Sequence, residues 1–485
     1  MNKRELKYKI MTVGCPVNQA ETEALKTKFD QIGVVEAESE NNNADIYVIN
    51  SCAVTQAAAR KSRKKVKKAK KDNPDAIVAL MGCYGEVEPD EIKEKVPEID
   101  IVIGTNGRTK LVDEVVDMIR TKLGYIEVSD FDNGIEDISK INEISNKSSD
   151  FEELGIYNKS VRKRPVVKIQ EGCNQVCSFC IVTIARGKPK SRLPENIEKE
   201  IKNLVSSGHK EIILAGTNMG LYGKDLEDRL TLSELLFRLA SIEKKLQNDF
   251  RIRLSSLEPV EITEDVLYAI KQSKNICKHL YLPLQSGSDR ILEIMKRNYS
   301  IDEFSKIADK ARKLMPDLSI ISDIIVGFPG ESEKDHQESM KVIESLELDK
   351  LHVFPYSPRP KTPADKYPGH VRPDIKDRRV DEMKKLGEKL SLNFHQEQVG
   401  KKMEVLMERY HKEKGELENV SYWLEGFSNN YAYVKTELKT PSIPDEYGEY
   451  EYGEYIEKSY INNIITVKAT NADKDIVFAC PVNSL

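Results

Sequence analysis

Cys173, Cys177 and Cys180 stand in the segment EGCNQVCSFC with the spacing C-x-x-x-C-x-x-C. Three thiolates on one short loop can hold a four-iron cluster while leaving one iron without a protein ligand, whereas four cysteines would close the cluster and suit it to electron transfer. An open iron can take the amino and carboxylate groups of S-adenosylmethionine, a cofactor whose radical chemistry is out of reach of side chains. The apolar run VVKI before the loop predicts a strand leading into it. A structural zinc knuckle is the competing assignment, but zinc usually takes a fourth Cys or His nearby, and none follows Cys180 closely.

Three more of the eight cysteines stand alone: Cys15 in VGCPVN, Cys52 in INSCAV and Cys83 in MGCYGE. Each follows an apolar run, which predicts that each ends a buried parallel strand, the edge where open α/β sheets build their sites. Any one of them alone reads as an inert buried thiol. Three at equivalent strand ends point to a second cluster, again with an open iron. Cys277 and Cys480 lack such settings and read as structural.

The elements that would carry these residues fall into a mixed α/β pattern. Residues 1–125 alternate strands (YKIMTV, DIYVIN, AIVALMG, DIVIG) with helices beginning near Glu21, Ala57, Glu88 and Lys110, which predicts an open parallel sheet. Residues 126–162 are polar and predict a linker. Residues 163–397 hold six strand candidates (VVKI, EIILAG, RIRLSS, HLYLPL, SIISDIIVG, KLHVF) separated by helices at 195–207, 231–246, 261–272, 301–314 and 333–347, followed by an exit helix over 375–397. Six βα units predict a partial (βα)6 barrel, since a complete one needs eight; its open side would admit a large substrate. Residues 398–485 carry short alternating strands and predict a small antiparallel β-barrel, interrupted by an acidic loop near 441–458.

The 485 residues carry a net charge of only −5, unevenly placed. Nine of the twelve residues from Arg60 to Lys71 are Arg or Lys, while Asp445 to Glu457 contain six acidic residues and four Tyr. On a helix Ala59, Ser62, Val66 and Ala69 share one face and the rest is cationic. A solvated surface is the ordinary reading of such a run. Its position directly after Cys52 favours contact with an RNA backbone through Arg60, Lys61, Arg63, Lys64, Lys65, Lys67 and Lys68. No apolar run is long enough to span a bilayer, MNKRELKYKIM has no signal-peptide core, and thiol clusters require reducing conditions. A cytoplasmic protein is expected. The oligomeric state is not indicated.

Taken together, GCPVNQAETEAL, INSCAVTQAAARKSRKKVKKA, KIQEGCNQVCSFC, RLSSLEP, LPLQSGSDRIL, DIIVGFPGESE and LHVFPYSPRPKTPA resemble the radical S-adenosylmethionine methylthiotransferases over essentially the whole chain. The run from Val17 to Glu23 and the LHVFPYSPRPKTPA segment resemble the subfamily that methylthiolates threonylcarbamoyladenosine beside the anticodon of tRNA. The resemblance implies two [4Fe–4S] clusters, S-adenosyl-L-methionine as cofactor, tRNA as substrate, an external electron donor and a sulfur donor. One cofactor molecule would methylate a sulfur on the N-terminal cluster. A second would be cleaved at the Cys173/Cys177/Cys180 cluster to a radical that takes the C2 hydrogen of the adenine. By the same resemblance Gly216 and Thr217 would meet the cofactor's amino group, and Gln285 and Ser286 its ribose. Asp323 reads equally as a cofactor contact or a polar barrel residue. The C-terminal barrel resembles the RNA-binding TRAM module, with Tyr431, Tyr433 and Lys435 as candidate contacts, and Arg359 is the candidate partner for the threonyl carboxylate. Where the family commonly has Pro and an aromatic after the third cluster cysteine, this chain has Thr183-Ile184. The same chemistry on isopentenyladenosine tRNA or a ribosomal protein, and a non-catalytic iron–sulfur RNA-binding protein, remain as alternatives.

Overall fold

The computed structural model describes residues 5–38, 43–122, 151–155, 157, 160–246, 248–414, 420–438 and 451–482. The N-terminal sheet has the order β2-β1-β3-β4-β5, all parallel. Its strands are β1 (Lys7–Thr12), β2 (Val35–Glu36), β3 (Ile46–Ser51), β4 (Ile77–Gly82) and β5 (Ile101–Val102). The central strands β3 and β4 are buried along their whole length, which is why they read as continuous apolar runs rather than as alternation. Helices α1 (Pro16–Gln31) and α5 (Leu111–Lys122) cover one face, and α2 (Gln56–Asp72), α3 (Cys83–Val87) and α4 (Pro89–Lys95) the other. One expected helix start moves: the first begins at Pro16 rather than near Glu21, because proline's fixed φ suits the first helical position. The third begins at Pro89, as expected near Glu88, and is preceded by a short helix that opens at Cys83 itself.

The central module is the expected arc of six parallel strands. Its strands are β6 (Val166–Glu171), β8 (Glu211–Gly216), β9 (Arg251–Leu254), β10 (His279–Tyr281), β11 (Ser319–Val326) and β12 (Lys350–Pro355). Single bridges Ile252–Ile276 and Ser256–Tyr281 join the β9 and β10 sheets. The two-residue β7 (Lys190–Ser191) pairs antiparallel with β6 just beyond the cysteine loop. Among the described residues β6 and β12 do not pair, so the barrel stays open. Helix α1 packs beside that opening, Val17 and Ala20 sharing a core with Val166 and Ala215.

The helix Pro373–Gln398 leads to a closed five-stranded barrel, in the order β13-β14-β15-β17-β16. Its strands are β13 (Lys402–Lys414), β14 (Val420–Ser428), β15 (Tyr433–Leu438), β16 (Ile464–Ala472) and β17 (Val477–Pro481). Arg251 and Arg253, at the start of β9, donate to the carbonyls of Glu404, Phe427, Ser428 and Asn429. The module is thus fastened at the amino ends of the central strands, opposite the cysteine loops.

Two sequence expectations change. Residues 126–150 of the linker lie outside the described residues, but Phe151, Leu154 and Tyr157 are buried and Glu152 and Glu153 pair with Arg108 and Arg192. Residues 441–450 of the acidic stretch lie outside the described residues, and its remainder is a helix, Glu451–Ser459, rather than a loop, packing Tyr452, Tyr455 and Ile456 on the barrel core. Among the described residues no helix is long and apolar enough to cross a membrane.

Candidate active site

Cys173, Cys177 and Cys180 lie on the loop after β6, as expected. The Cys173 amide donates to the Gly187 carbonyl at 3.0 Å, the Cys180 amide to the Cys177 carbonyl at 3.1 Å, and the Ser178 amide to the Met295 carbonyl at 2.9 Å. The loop is therefore closed on itself and pinned to the next layer. Arg297 Nη1 donates to Cys177 Sγ at 3.2 Å, and its guanidinium also pairs with Glu258. Asn218 Nδ2 lies 3.8 Å from Cys173 Sγ and donates to Glu261 at 3.0 Å. Burial, and then the neighbouring Cys177 and Cys173, push the Cys180 thiol up to about 12. Three half-buried thiols that repel one another's ionised forms fit a cationic centre, because metal binding takes thiolates and releases their protons.

Cys15 precedes α1 as its N-cap, Cys52 follows β3, and Cys83 follows β4. All three stand at the carboxyl edge of adjacent strands. Asn18 Nδ2 donates to the Val13 and Ser51 carbonyls, both at 2.9 Å, tying the first two loops together. Gly14 has φ +119°, and a side chain there would meet Cys52 Cβ at 2.8 Å, so the close approach of those loops requires glycine. Burial, then Cys83 and Cys15, push the Cys52 thiol up to about 12. Among the described residues no three Cys, His, Asp or Glu side chains converge as one metal ion requires.

A cavity of about 220 Å³ opens beside Cys180. Its wall includes Val54 and Thr55 from the loop after Cys52, Phe179, Gln285, Asp323, and the aromatic Phe354, which remains 44% exposed. The loop of one triad and a cysteine of the other thus border one space. Asp323 accepts from Tyr281 Oη, and His352 Nδ1 lies 3.3 Å from Asp323 and 2.9 Å from Tyr281 Oη. Gln285 sits at φ +69° and closes a bridge to Ile324.

The other expected contacts divide. Gly216 ends β8, and the buried Thr217 hydroxyl, Asn218 Oδ1 and Glu261 Oε2 have no hydrogen-bond partner among the described residues. These orphaned polar atoms beside Cys173 suit a polar ligand. Ser286 turns away from the cavity: its hydroxyl accepts from the Ser288 amide and lies 3.5 Å from Ser339 Oγ. Arg359 is buried and pairs with Glu88 at 2.8 Å through one Nη, while its buried Nε has no hydrogen-bond partner among the described residues.

The basic helix forms as the periodicity requires, with Ala59, Ser62, Val66 and Ala69 buried. Thr55 caps it, accepting from the Ala58 amide. Arg60, Lys61, Lys64, Lys67 and Lys68 are exposed and Lys65 half-buried, while Arg63 is taken by Tyr84 and Glu91. The proposed contacts of the C-terminal barrel are engaged internally. Tyr431 stacks on His279 and Phe427, Tyr433 bonds Glu425 and Arg409, and Lys435 pairs with Glu413.

Sequence reasoning missed Asn218, Glu258, Glu261, Arg297 and, above all, Arg186. Arg186 is fully buried, donating to Asn18 and Glu21 on α1 and to Glu171 on β6. The available signal was charge inside otherwise apolar strand-and-turn context.

Known families match both modules: the Radical SAM superfamily over residues 167–343, and the family described as "Uncharacterized protein family UPF0004" over residues 7–104. The chain is 37% identical over 425 residues to the threonylcarbamoyladenosine tRNA methylthiotransferase MtaB of Bacillus subtilis (strain 168), covering 87% of this chain and 88% of that one. It is 37% identical over 403 residues to the protein of that name from Aquifex aeolicus (strain VF5), covering 83% and 93%. It is 35% identical over 404 residues to a tRNA-2-methylthio-N(6)-dimethylallyladenosine synthase of Clostridium botulinum (strain Hall / ATCC 3502 / NCTC 13319 / Type A), covering 82% and 85%. Among solved structures, the radical S-adenosylmethionine methyltransferase TsrM of Kitasatospora setae superimposes with a TM-score of 0.53 at 11% identity, covering 75% of this chain and 77% of that one, a likeness of fold alone.

Proposed function

The chain belongs to the MtaB-type radical S-adenosylmethionine methylthiotransferases, enzymes that modify tRNA, and from that premise we propose that it methylthiolates C2 of N6-threonylcarbamoyladenosine using two [4Fe–4S] clusters. The observation that carries the two-cluster reading is the shared cavity: Cys180 borders it from one side and Val54-Thr55, next to Cys52, from the other. S-adenosylmethionine, when bound beside Cys173, Cys177 and Cys180 and reductively cleaved, would supply a radical strong enough to take hydrogen from carbon. This chain's residues bind and position. Cys173, Cys177 and Cys180 would hold the cleaving cluster, with Thr217, Asn218 and Glu261 as polar partners for the cofactor. Cys15, Cys52 and Cys83 would hold the cluster that carries sulfur. An external electron donor and a sulfur donor complete the reaction.

A base beside the anticodon must leave its stack to reach buried chemistry. Phe354 offers an exposed ring at the cavity wall, and a base on an aromatic gains about 1–3 kcal/mol. The Asp323–Tyr281–His352 group supplies hydrogen-bonding partners for a hydroxyl-bearing substituent.

A second reading has its own support. Val54, Phe179 and Phe354 make an apolar wall, and Arg359 is held by Glu88, a setting that also suits a branched hydrocarbon. Anaerobic enzyme offered tRNA bearing each modification, followed by mass spectrometry of the nucleosides, separates the two. Methylthio product on the threonylcarbamoyl substrate supports the first. Product only on the isopentenyl substrate, or only on a ribosomal protein, overturns it.

A further inference from the structure

Arg186 lies six residues beyond Cys180, on the short helix Val182–Arg186. That helix belongs to the central barrel, yet it packs on the N-terminal module. Ile181 and Ala185 share a core with Cys83 and Tyr84, and Thr105 Oγ1 donates to the Ala185 carbonyl. The guanidinium is sealed from solvent. One arm reaches Glu21 Oε1 at 2.8 Å and Glu171 Oε2 at 3.2 Å, and the other Asn18 Oδ1 at 2.9 Å. Asn18 is the residue that ties the Cys15 and Cys52 loops together. Cys15 Sγ lies 3.5 Å from Asn18 Oδ1, the same atom to which Arg186 donates, and Ala185, the neighbour of Arg186, shares a core with Cys83. A residue from the loop of one triad is therefore built into the other.

A domain clasp alone does not require this arrangement. Arg108, equally buried, already joins Glu21 to Glu171 and to Glu152. What distinguishes Arg186 is its bond to Asn18, which ties together the Cys15 and Cys52 loops. The potential of an iron–sulfur cluster follows its net charge, the hydrogen bonds to its sulfurs and its exposure. A buried cation beside those loops favours the more negative, reduced state.

We propose that Arg186 is the charge partner of the N-terminal cluster, raising its reduction potential from a position on the barrel's own cysteine loop. The proposal rests on the two-cluster reading above. Arg186 acts through Asn18 and the cysteine loops that Asn18 joins, and is a positioning residue rather than a catalytic one.

The test isolates the N-terminal cluster by working in the C173A/C177A/C180A background of the full chain. Arg186→Met alone would leave Glu21 and Glu171 in excess inside the protein, a strongly destabilising change. The variants are therefore E21Q/R186M, which removes one charge of each sign, and R186K, which keeps the cation. Iron is counted and the midpoint potential measured by redox titration with electron paramagnetic resonance. The expected result is a lower potential in E21Q/R186M and a potential near that of the background in R186K. Cluster loss in E21Q/R186M but not R186K, with an unchanged circular dichroism spectrum, also supports the proposal. An unchanged potential in a fully loaded E21Q/R186M, or an equal fall in both variants, overturns it. Absence of iron from the background protein would instead overturn the two-cluster reading, a result that iron counting distinguishes from the others.

Discussion

Cys15, Cys52 and Cys83 are scattered along the chain and adjacent in space because each closes one of three neighbouring parallel strands. That inference needed only apolar runs followed by a thiol. Arg359 shows where reading single residues stops. A guanidinium in a proline-rich turn is a natural guess for a carboxylate-bearing substrate, but its partner, Glu88, comes from the other module and no local pattern announces it. Arg359→Ala is therefore expected to act on stability. It should cost about 1–3 kcal/mol, the penalty for leaving a buried polar group without its partner, as read by chemical unfolding. Unchanged unfolding combined with lost preference for threonylcarbamoyl tRNA would return Arg359 to the substrate.

At the same scale, burial pushes Asp349 up to about 7 despite a bond from the Ile320 amide. The folded protein then keeps a proton that the unfolded chain, with an aspartate near 4, has released. Stability from this group is present at low pH and is lost as pH rises from about 4 through 7. Asp349→Asn should shrink the difference between melting temperatures measured at pH 5.5 and pH 7.5. An undiminished difference would assign the slope to other groups.

Among elements, α2 was legible almost residue by residue, since four small or apolar residues at helical spacing in a cationic run have one helical solution. The helix Glu451–Ser459 was not. Its Tyr452, Tyr455 and Ile456 recur at helical spacing, but the acidic residues between them resemble a solvated loop, and only the barrel surface beneath decides. The short elements around the triads, α3 and β7, are set by tertiary contacts and leave almost no periodic trace. The prediction that belongs to α2 concerns phosphate. Changing Lys64, Lys65, Lys67 and Lys68 to Gln should weaken tRNA binding. It should also flatten the plot of log affinity against log salt by about 0.7–0.9 for each phosphate that the helix no longer neutralises. An unchanged slope would leave the helix as a solvated face.

In the whole molecule the two cysteine-bearing modules are interlocked rather than strung together. Glu21, Arg108, Lys168, Glu171 and Arg186 form one buried charge network across their junction. Burial alone would raise the Glu21 carboxyl, and the guanidinium groups of Arg108 and Arg186 hold it well below the usual carboxylate range. The three modules could be read from changes of periodicity along the chain. Their docking could not, because it depends on pairs far apart in sequence, such as Glu21 with Arg186. The C-terminal barrel is fastened by Glu211 with Arg251 and Arg253 at the end away from the cavity. Tyr431, one of the candidate RNA contacts, is stacked into that joint against His279 and Arg253.

The central claim is that two triads divide one reaction at a shared cavity. The most direct measurement uses the C15A/C52A/C83A variant, anaerobically purified and assayed with tRNA, S-adenosylmethionine and a reductant. Iron, 5′-deoxyadenosine and methylthio-nucleoside are all quantified. The account predicts about half the iron of the unaltered enzyme, continued formation of 5′-deoxyadenosine, and no methylthio product. Full methylthiolation, or loss of 5′-deoxyadenosine although the Cys173/Cys177/Cys180 cluster is loaded, would contradict it.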